Sequence, residues 1–214
     1  MASLPEAEGF ALAGGAALIA RGVVDRQTAD LDFFTREVEA VARLGPALEA
    51  AVTAAGMSVR RVQDGPGFLR LEVSRSGDHC DIDLGRDARL WPIQDTPLGP
   101  TIADDELAAD KTLALFGRAA ARDYVDVRAL ARRYGEGRLT ELAAAKDLGF
   151  SADRLGDALA AIERLDRDQF DLGDAAYGEL REWAISWADA LGRLREEDRH
   201  PDRDPPDLGL DLGL

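Results

Sequence analysis

The chain has few of the residues that form cross-links or bind soft metals. Its 214 residues include one cysteine, Cys80, and two histidines, His79 and His200. An intramolecular disulfide and a zinc site built from thiolates are therefore excluded, and so is a histidine-rich metal site. Any metal bound here must have oxygen ligands, which the 41 acidic residues can supply.

Long hydrophobic runs are also missing. The longest uninterrupted apolar stretch, residues 10–20, contains two glycines and is much shorter than the roughly 20 residues of a membrane span. Glu6 and Glu8 stand where a secretory signal would carry Lys or Arg. Because 46% of the residues are hydrophobic, the chain can still bury a core. We therefore expect a folded cytoplasmic protein with no membrane partner.

Positive charge is in the minority, since 26 basic residues against 41 acidic ones give a net charge of −15. This balance argues against general binding of polyanions, so a nucleic-acid partner would need a local basic groove. The acidic excess is most concentrated at the C-terminus, where we predict a disordered acidic tail over 201–214. Only Lys111 and Lys146 are lysines, which makes both of them candidates for a specific role.

The hydrophobic pattern predicts an α+β protein with two lobes: an α/β lobe over residues 1–98 with a mixed sheet, followed by an all-helical lobe over 99–200. We place the boundary in the loop at 91–101, where three prolines and a glycine cluster. Strands are predicted at 10–13, 31–34, 58–62, 68–74 and 79–84. Helices are predicted at 16–21, 38–55, 104–117, 123–134, 139–147, 152–165 and 175–197.

Three local features refine this prediction. Thr140 and Ser151 are predicted N-caps, because their hydroxyls can accept a hydrogen bond from the first turn of a helix. The pair Gly45-Pro46 is expected to kink or restart the helix at 38–55, since proline lacks the N–H that the helix needs.

Two acidic residues on the second predicted strand suggest metal-dependent phosphoryl transfer. Asp30 and Asp32 are two residues apart on the strand, so their side chains share one face and their Cα atoms are about 6.6 Å apart. Two carboxylates so placed can share divalent cations, which neutralise a triphosphate and position the attacking and leaving oxygens. A carboxylate from a later strand would complete the site, and Asp83 lies between apolar neighbours there. Asp81 on the same face is the alternative third ligand.

The pair Gly14-Gly15 lies upstream of these acids. Paired glycines permit a close backbone approach, and the predicted helix beginning after them offers N–H groups to phosphate oxygens. Glycine pairs are common in turns and Asp-x-Asp is common at solvated strand edges, so each element alone is weak evidence. The combination in this order and spacing is much more specific.

Gly-Gly, an Asp-x-Asp beginning fifteen residues after Gly15, and an apolar-Asp-apolar strand together resemble the polymerase-beta-type nucleotidyltransferase signature over residues 9–85. A second block runs from Asp105 to Arg118 and continues as Arg-Asp-Tyr-Val-Asp-Val at 122–127. This block is similar to one in the AbiEii/AbiGii toxin nucleotidyltransferases. That family includes tRNA-modifying nucleotidyltransferase toxins of type IV toxin–antitoxin systems.

The resemblance implies roles for residues of the first block. A Gly-Gly turn and a hydroxyl two residues before the first Asp handle the nucleotide phosphates in the family. The matching residues here are Gly14, Gly15 and Thr28. The Asp pair binds Mg²⁺, or alternatively Mn²⁺, which implies Asp30 and Asp32 as ligands with Asp83 assisting.

In the second block, the resemblance implies that Lys111 contacts the triphosphate and that Asp126 completes the catalytic site, with Asp123 as the second choice. The residues themselves also permit plainer roles. Lys111 could pair with an acid on its own helix, and Asp126 could form an i, i+4 salt bridge with Arg122.

The resemblance further implies that a nucleoside monophosphate is transferred from an NTP to a tRNA 3′ end, which blocks translation, and that a cognate antitoxin exists. Arginines around the site in sequence are candidates for a local groove that binds tRNA. They are Arg21, Arg26, Arg36, Arg60, Arg61, Arg118, Arg122, Arg128, Arg132 and Arg133.

Other acceptors and other functions stay open at this point. The same metal site could pass the nucleotidyl group to a protein side chain or to a small-molecule hydroxyl. A catalytically silent relative that only binds a partner protein is a further alternative. Residues 139–151 resemble the start of a helix-turn-helix, but the helix that follows is not basic, which disfavours DNA as a partner.

Overall fold

The computed structural model describes residues 3–199, over which the chain forms a seven-stranded mixed sheet and seven α-helices. The predicted α+β class is confirmed. The predicted tail at 201–214 lies outside the described residues. Within the described part, no helix is both long enough and apolar enough to cross a membrane.

The strands are β1 (Ala11–Ala13), β2 (Asp30–Thr35), β3 (Ser58–Gly65), β4 (Phe68–Arg75), β5 (Asp78–Arg86), β6 (Gln94–Thr96) and β7 (Gly99–Thr101). They lie in the order β3-β4-β5-β2-β1-β7-β6. The three strands β3, β4 and β5 form an antiparallel meander, whereas β2 runs parallel to β5. Because β2 and β5 are in register, with Asp32 opposite Asp83, their acidic side chains emerge on the same face of the sheet.

The helices are α1 (Gly14–Ala20), α2 (Ala40–Ala54), α3 (Asp104–Arg118), α4 (Ala121–Tyr134), α5 (Glu136–Lys146), α6 (Ala152–Ala160) and α7 (Asp174–Arg199). Short 3₁₀ turns lie at Pro5–Ala7, Ala161–Arg164 and Arg167–Gln169. The first helix begins directly at the Gly-Gly pair, so β1, the glycines and α1 form one continuous strand-to-helix turn.

Two hydrophobic clusters hold these elements together. One packs α2 against the face of β4 and β5 that bears Leu69, Leu71 and Leu84. The other runs without a break from β1 and α1 through α3 and α4 to Trp187 on α7. Tyr124 on α4 is fully buried in this second cluster. The sheet and the helical bundle therefore share a core, which fixes the position of α3 and α4 against the acidic strands.

The structure corrects several local predictions. The loop predicted at 91–101 contains β6 and β7, and β7 pairs with β1. Helix α2 runs through Gly45 and Pro46 without a restart. Thr140 lies inside α5, where its hydroxyl donates to the Glu136 carbonyl, so its predicted role as an N-cap is wrong. Ser151 is confirmed as the N-cap of α6, because its side chain accepts from the N–H of Arg154. The lobe boundary between 98 and 99 stays a prediction.

Candidate active site

A cleft of about 380 Å³ lies between the acidic face of the sheet and helices α3 and α4. The structure brings most of the predicted site residues into it. Those lining the cleft are Gly14, Gly15, Thr28, Asp30, Asp32, Asp83 and Lys111. These residues lie on or just before α1, β2, β5 and α3. The four elements are far apart in sequence, and the shared core holds them in place.

Cross-strand rows on the sheet decide which carboxylates meet. Asp32 is opposite Asp83 on β5, and Asp83 is opposite Arg70 on β4. Asp30 is opposite Asp81 in the neighbouring row. Among the residues lining the cleft, Asp83 is present and Asp81 is not. The position of Asp83 therefore suits a third metal ligand better than that of Asp81.

Asp32 has the most unusual environment of the three predicted metal ligands, Asp30, Asp32 and Asp83. It accepts no hydrogen bond from any group in the described part of the chain, whereas Asp83 and Asp30 each pair with an arginine. Burial raises the pKa of the Asp32 carboxyl, and the negative charge of Asp83 raises it further. A partly buried carboxylate with no donor, beside another carboxylate, is an environment that a bound cation would stabilise. The residues present therefore fit a divalent metal with oxygen ligands.

Guanidinium groups offset part of the negative charge in the cleft. Arg70 forms a bidentate pair with Asp83, with 2.7 Å between Nε and Oδ1. Arg122 lies 3.0 Å from Asp30, measured from Nη1 to Oδ2. Arg70 belongs to no sequence motif, since its position opposite Asp83 depends on the strand register.

Gly14 allows the turn after β1 to touch Asp32. Its φ of +62° lies in the left-handed region that favours glycine. A Cβ at this position would lie 1.7 Å from Asp32 Oδ2, so no larger residue fits without moving the carboxylate. Gly15 is similarly close to Arg26. Thr28 lies two residues before β2, and its hydroxyl is 3.3 Å from the backbone nitrogen of Asp30.

Lys111 faces Asp126 across the helical wall of the cleft. The lysine Nζ lies 2.8 Å from Asp126 Oδ2, and Lys111 is 7% exposed while Asp126 is fully buried. Arg26 holds the same carboxylate from the other side, with 2.8 Å from Nε to Oδ1 and 2.9 Å from Nη2 to Oδ2. The plainer pairings, of Lys111 with an acid on its own helix and of Asp126 with Arg122, are not formed in the described part of the chain.

Asp123 has a different position from Asp126. Its carboxylate accepts from the backbone N–H of Ala120 at 3.1 Å and from Arg118 at 2.8 and 2.9 Å. These contacts cap the beginning of α4, where the orphan N–H groups of a helix need acceptors. Asp123 is thus a capping residue, and Asp126 is the acid that contacts Lys111.

A second group of carboxylates borders the cleft but already contains a cation. Asp87, Glu106 and Asp110 have oxygens within 4.8 Å of one another. The Lys146 Nζ lies 2.9 Å from Asp87 and 2.5 Å from Glu106, and it also bonds Asp110. Glu106 in addition accepts from two backbone N–H groups in the segment after β5. An ammonium group therefore occupies the place that a metal would take, and the cluster ties this segment to α3 and α5.

Most arginines predicted to line a groove instead form ion pairs. Within the described residues, nine of the ten predicted arginines pair with a carboxylate, and Arg36 is the exception. Three of them line the cleft: Arg26, Arg118 and Arg122. Arg70 and Arg86 also line it, and neither was predicted. Only part of the predicted basic groove therefore lies at the cleft, since three of its ten arginines line it.

Two solved structures with TM-scores above 0.5 support this architecture. JHP933 from Helicobacter pylori aligns with a TM-score of 0.55 at 18% identity, over 92% of this chain and 89% of its own. A second structure from H. pylori aligns with a TM-score of 0.56 at 18% identity, over 90% of each chain. The antibiotic-resistance factor ANT(2'')-Ia aligns at 18% identity over 65% of this chain and 84% of its own, with a TM-score of 0.46.

Sequence comparison gives a more specific result. A search of curated proteins finds no match. The family model described as "Nucleotidyl transferase AbiEii toxin, Type IV TA system" matches residues 1–205, which confirms the resemblance drawn from the two motif blocks. The chain therefore belongs to the AbiEii family: it is a nucleotidyltransferase toxin of a type IV toxin–antitoxin system, and the family implies an NTP substrate and a cognate antitoxin.

Proposed function

We propose that the cleft transfers a nucleoside monophosphate from an NTP to the 3′ hydroxyl of a tRNA and so blocks translation in the cytoplasm. The observation that carries this proposal is the row of carboxylates beside Gly14. Asp32 lies there without a hydrogen-bond donor in the described part of the chain, in register with Asp83. Such a row suits two oxygen-ligated metal ions, and metal-assisted phosphoryl transfer is the chemistry that such ions serve.

Asp30 and Asp32 would hold Mg²⁺, or Mn²⁺ in its place, with Asp83 assisting. When bound, the metal neutralises charge on the triphosphate and increases the nucleophilicity of the acceptor oxygen. Arg70 and Arg122 occupy lone pairs of Asp83 and Asp30, so these two side chains would have to release the carboxylates that turn to the ion.

The helical wall would bind the leaving group. Lys111 is a compact cation whose ammonium can follow phosphate oxygens, and Asp126 keeps it pointed along the cleft. Because Arg26 holds the same carboxylate, the group of three carries a net positive charge that favours a polyphosphate. Asp126 thus acts as a positioning residue in this proposal. Gly14, Gly15 and Thr28 lie where the phosphates would approach the backbone.

The transfer itself makes one bond and breaks one bond. The acceptor oxygen bonds to the α-phosphorus and gives up its proton to water, while the bond from the α-phosphorus to the bridging oxygen breaks. Pyrophosphate then leaves toward Lys111 and the Gly-Gly turn. An in-line path requires the acceptor oxygen to attack the α-phosphorus on the side opposite the leaving pyrophosphate.

The test is a labelling experiment with the purified protein. Total tRNA and Mg²⁺ are incubated with each α-³²P nucleoside triphosphate in turn, beside an Asp30→Ala variant whose fold is checked by circular dichroism. We expect label on tRNA with one preferred base and none with the variant. Label on protein would replace tRNA by a protein acceptor. Equal label with wild type and folded Asp30→Ala protein would contradict the proposed site.

A further inference from the structure

A second cavity, of about 790 Å³, adjoins the cleft at the ends of β2 and β5. It lies between α2 and the turn that joins β3 to β4, and most of its walls are apolar. Val38 at its rim is 64% exposed, which is a large exposure for a valine beside a cavity. Phe34, Arg86 and Asp87 line both the cavity and the cleft. The two spaces therefore share these three residues as a common wall.

The cavity begins one cross-strand row beyond the carboxylates. Phe34, Gly85 and Phe68 form this row, directly after the row of Asp32, Asp83 and Arg70. Successive rows on one face are about 6.6 Å apart, which is comparable with the length of one nucleoside. The row lies on the same face of the sheet as Asp32, Asp83 and Arg70, so a group bound against it is within reach of the carboxylates.

Aromatic rings in this row offer faces on which a base can stack. Phe34 and Phe68 are both half-buried and both line the cavity. Gly85 lets the Phe34 ring lie against the strand, because a Cβ there would be 2.5 Å from the ring. The guanidinium of Arg70 lies 5.9 Å from the centre of the Phe68 ring. Rings and guanidinium planes of this kind are the usual stacking partners of unpaired bases.

Arg86 supplies an available positive charge where the cleft and the cavity meet. It is exposed, and it forms no ion pair within residues 3–194 although the chain is strongly acidic. Arg61, on the opposite wall of the cavity, is by contrast held by Glu49 and Asp64. A free guanidinium beside an apolar cavity is the arrangement that would bind a phosphate next to a buried base.

We propose that this cavity, here named the acceptor pocket, binds the 3′-terminal nucleoside of a single-stranded RNA end. The base stacks on Phe68 and Phe34, and the adjoining phosphate contacts Arg86. The ribose hydroxyl then lies one cross-strand row from the carboxylates of Asp32 and Asp83. This assignment rests on the proposed function, because it identifies how that function would bind its acceptor.

The test measures RNA binding without catalysis. A 5′-fluorescein RNA heptamer with a free 3′ hydroxyl is titrated with the full chain, and fluorescence anisotropy is followed at several salt concentrations. We compare the wild type with Phe68→Leu and Arg86→Ala. The matched control is Arg75→Ala, which removes an exposed arginine at the far end of β4 that forms no ion pair in the described part of the chain.

Each variant has its own expected effect. Phe68→Leu should weaken binding about 5- to 100-fold, because it removes one stacking face. Arg86→Ala should reduce the salt slope of log K by about 0.7, as expected for one lost phosphate contact on a single strand. Arg75→Ala should change neither quantity. Wild-type affinity for both pocket variants, or an equal loss with Arg75→Ala, would overturn the assignment.

A cross-linking experiment locates the base directly and does not depend on the stability of any variant. The heptamer is synthesised with 4-thiouridine at its 3′ end, irradiated with the wild-type chain and mapped by mass spectrometry. Adducts in 34–46 or 64–69 support the acceptor pocket, whereas adducts confined to α5, α6 or α7 overturn it. Cross-links in the pocket without any label transfer would contradict the proposed function alone. Label transfer to tRNA without cross-links there would contradict the pocket alone.

Discussion

The two lysines of the chain are nearly equally buried on the helical side, yet their surroundings differ. Lys146 lies among three carboxylates, those of Asp87, Glu106 and Asp110. Lys111 contacts one carboxylate, Asp126, and shares it with Arg26. The first group therefore keeps an excess of negative charge, whereas the second keeps an excess of positive charge.

This difference separates a structural cation from the cation that we propose binds the triphosphate. Burial opposes the charge on Lys146, but the three surrounding carboxylates outweigh that effect and raise its pKa. All three donors of its ammonium are engaged within the protein. Lys111 lines the cleft beside the carboxylate row and retains the capacity to bind an anion. The two lysines therefore differ in the number of their carboxylate partners and not in their burial.

The largest effect on stability is expected from Lys146→Met. The substitution leaves three carboxylates without their cation, and breaking a buried ion pair by removing one partner costs about 3–5 kcal/mol. Lys111→Met should cost clearly less, because Arg26 still holds Asp126 on both oxygens. Urea denaturation measures both free energies of unfolding. Equal losses for the two variants would contradict the comparison.

On activity, Lys111→Met is expected to have a larger effect than on stability. Removing one preorganised cation that stabilises developing charge lowers the rate of phosphoryl transfer by about 10²- to 10³-fold. Steady-state kinetics of label transfer measure the loss, at protein concentrations where the variant is fully folded. Undiminished turnover would mean that the triphosphate does not contact Lys111.

A smaller effect is expected from the glycine at the turn after β1. Gly14→Ala and Gly22→Ala both place alanine at a left-handed φ, +62° and +64° respectively, and the backbone strain alone should cost each variant about 1–2 kcal/mol of stability. Only the first would push a Cβ into Asp32, since nothing lies within 4 Å of a Cβ at 22. Thermal unfolding measures the loss of stability from backbone strain in both variants. Transfer assays measure the loss of activity, which displacement of Asp32 should cause only in Gly14→Ala. Loss of activity in both would show that strain alone is responsible.

The smallest effect is a pH dependence at Asp110. Burial raises the pKa of its carboxyl from 3.8 to about 6, against the opposing influence of Lys146. The folded protein then binds the Asp110 proton more tightly than the unfolded chain, so ionisation of this group lowers stability as the pH rises through the range from 3.8 to about 6. Asparagine cannot ionise. The free energy of unfolding of Asp110→Asn relative to wild type should therefore rise by about 1 kcal/mol between pH 5 and pH 7. A difference that does not change with pH would contradict this explanation.

Much of the fold follows from local sequence pattern, and the missing part has a physical reason. Among the four longer strands, β4 and β5 are runs in which apolar and polar residues alternate, and such runs are visible in a single sequence. The strands β6 and β7 have three residues each and include Pro100, so their pattern matches a loop. The parallel pairing of β2 with β5 joins segments about fifty residues apart, and no local pattern specifies it.

The candidate site could be predicted in its members but not in its contacts. The Gly-Gly pair, the Asp-x-Asp and Lys111 were selected from motifs, and the structure places them in one cleft, although their roles stay predictions. The contact between Arg26 and Asp126 spans 100 residues, and that between Arg70 and Asp83 depends on strand register. Residues of the proposed acceptor pocket, such as Arg86, belong to no motif. They are recognised only once the strands have been placed side by side in the sheet.

The measurement that tests the central claim most directly is the Mg²⁺ dependence of label transfer for wild type, Asp30→Asn and Asp81→Asn. The two aspartates are opposite each other in register, but only Asp30 lines the cleft. The account predicts that Asp30→Asn reduces transfer by at least about 10²-fold at every Mg²⁺ concentration, since a metal ligand is lost. Asp81→Asn should follow the wild-type titration. Transfer that survives in Asp30→Asn and fails in Asp81→Asn would contradict the proposed metal site.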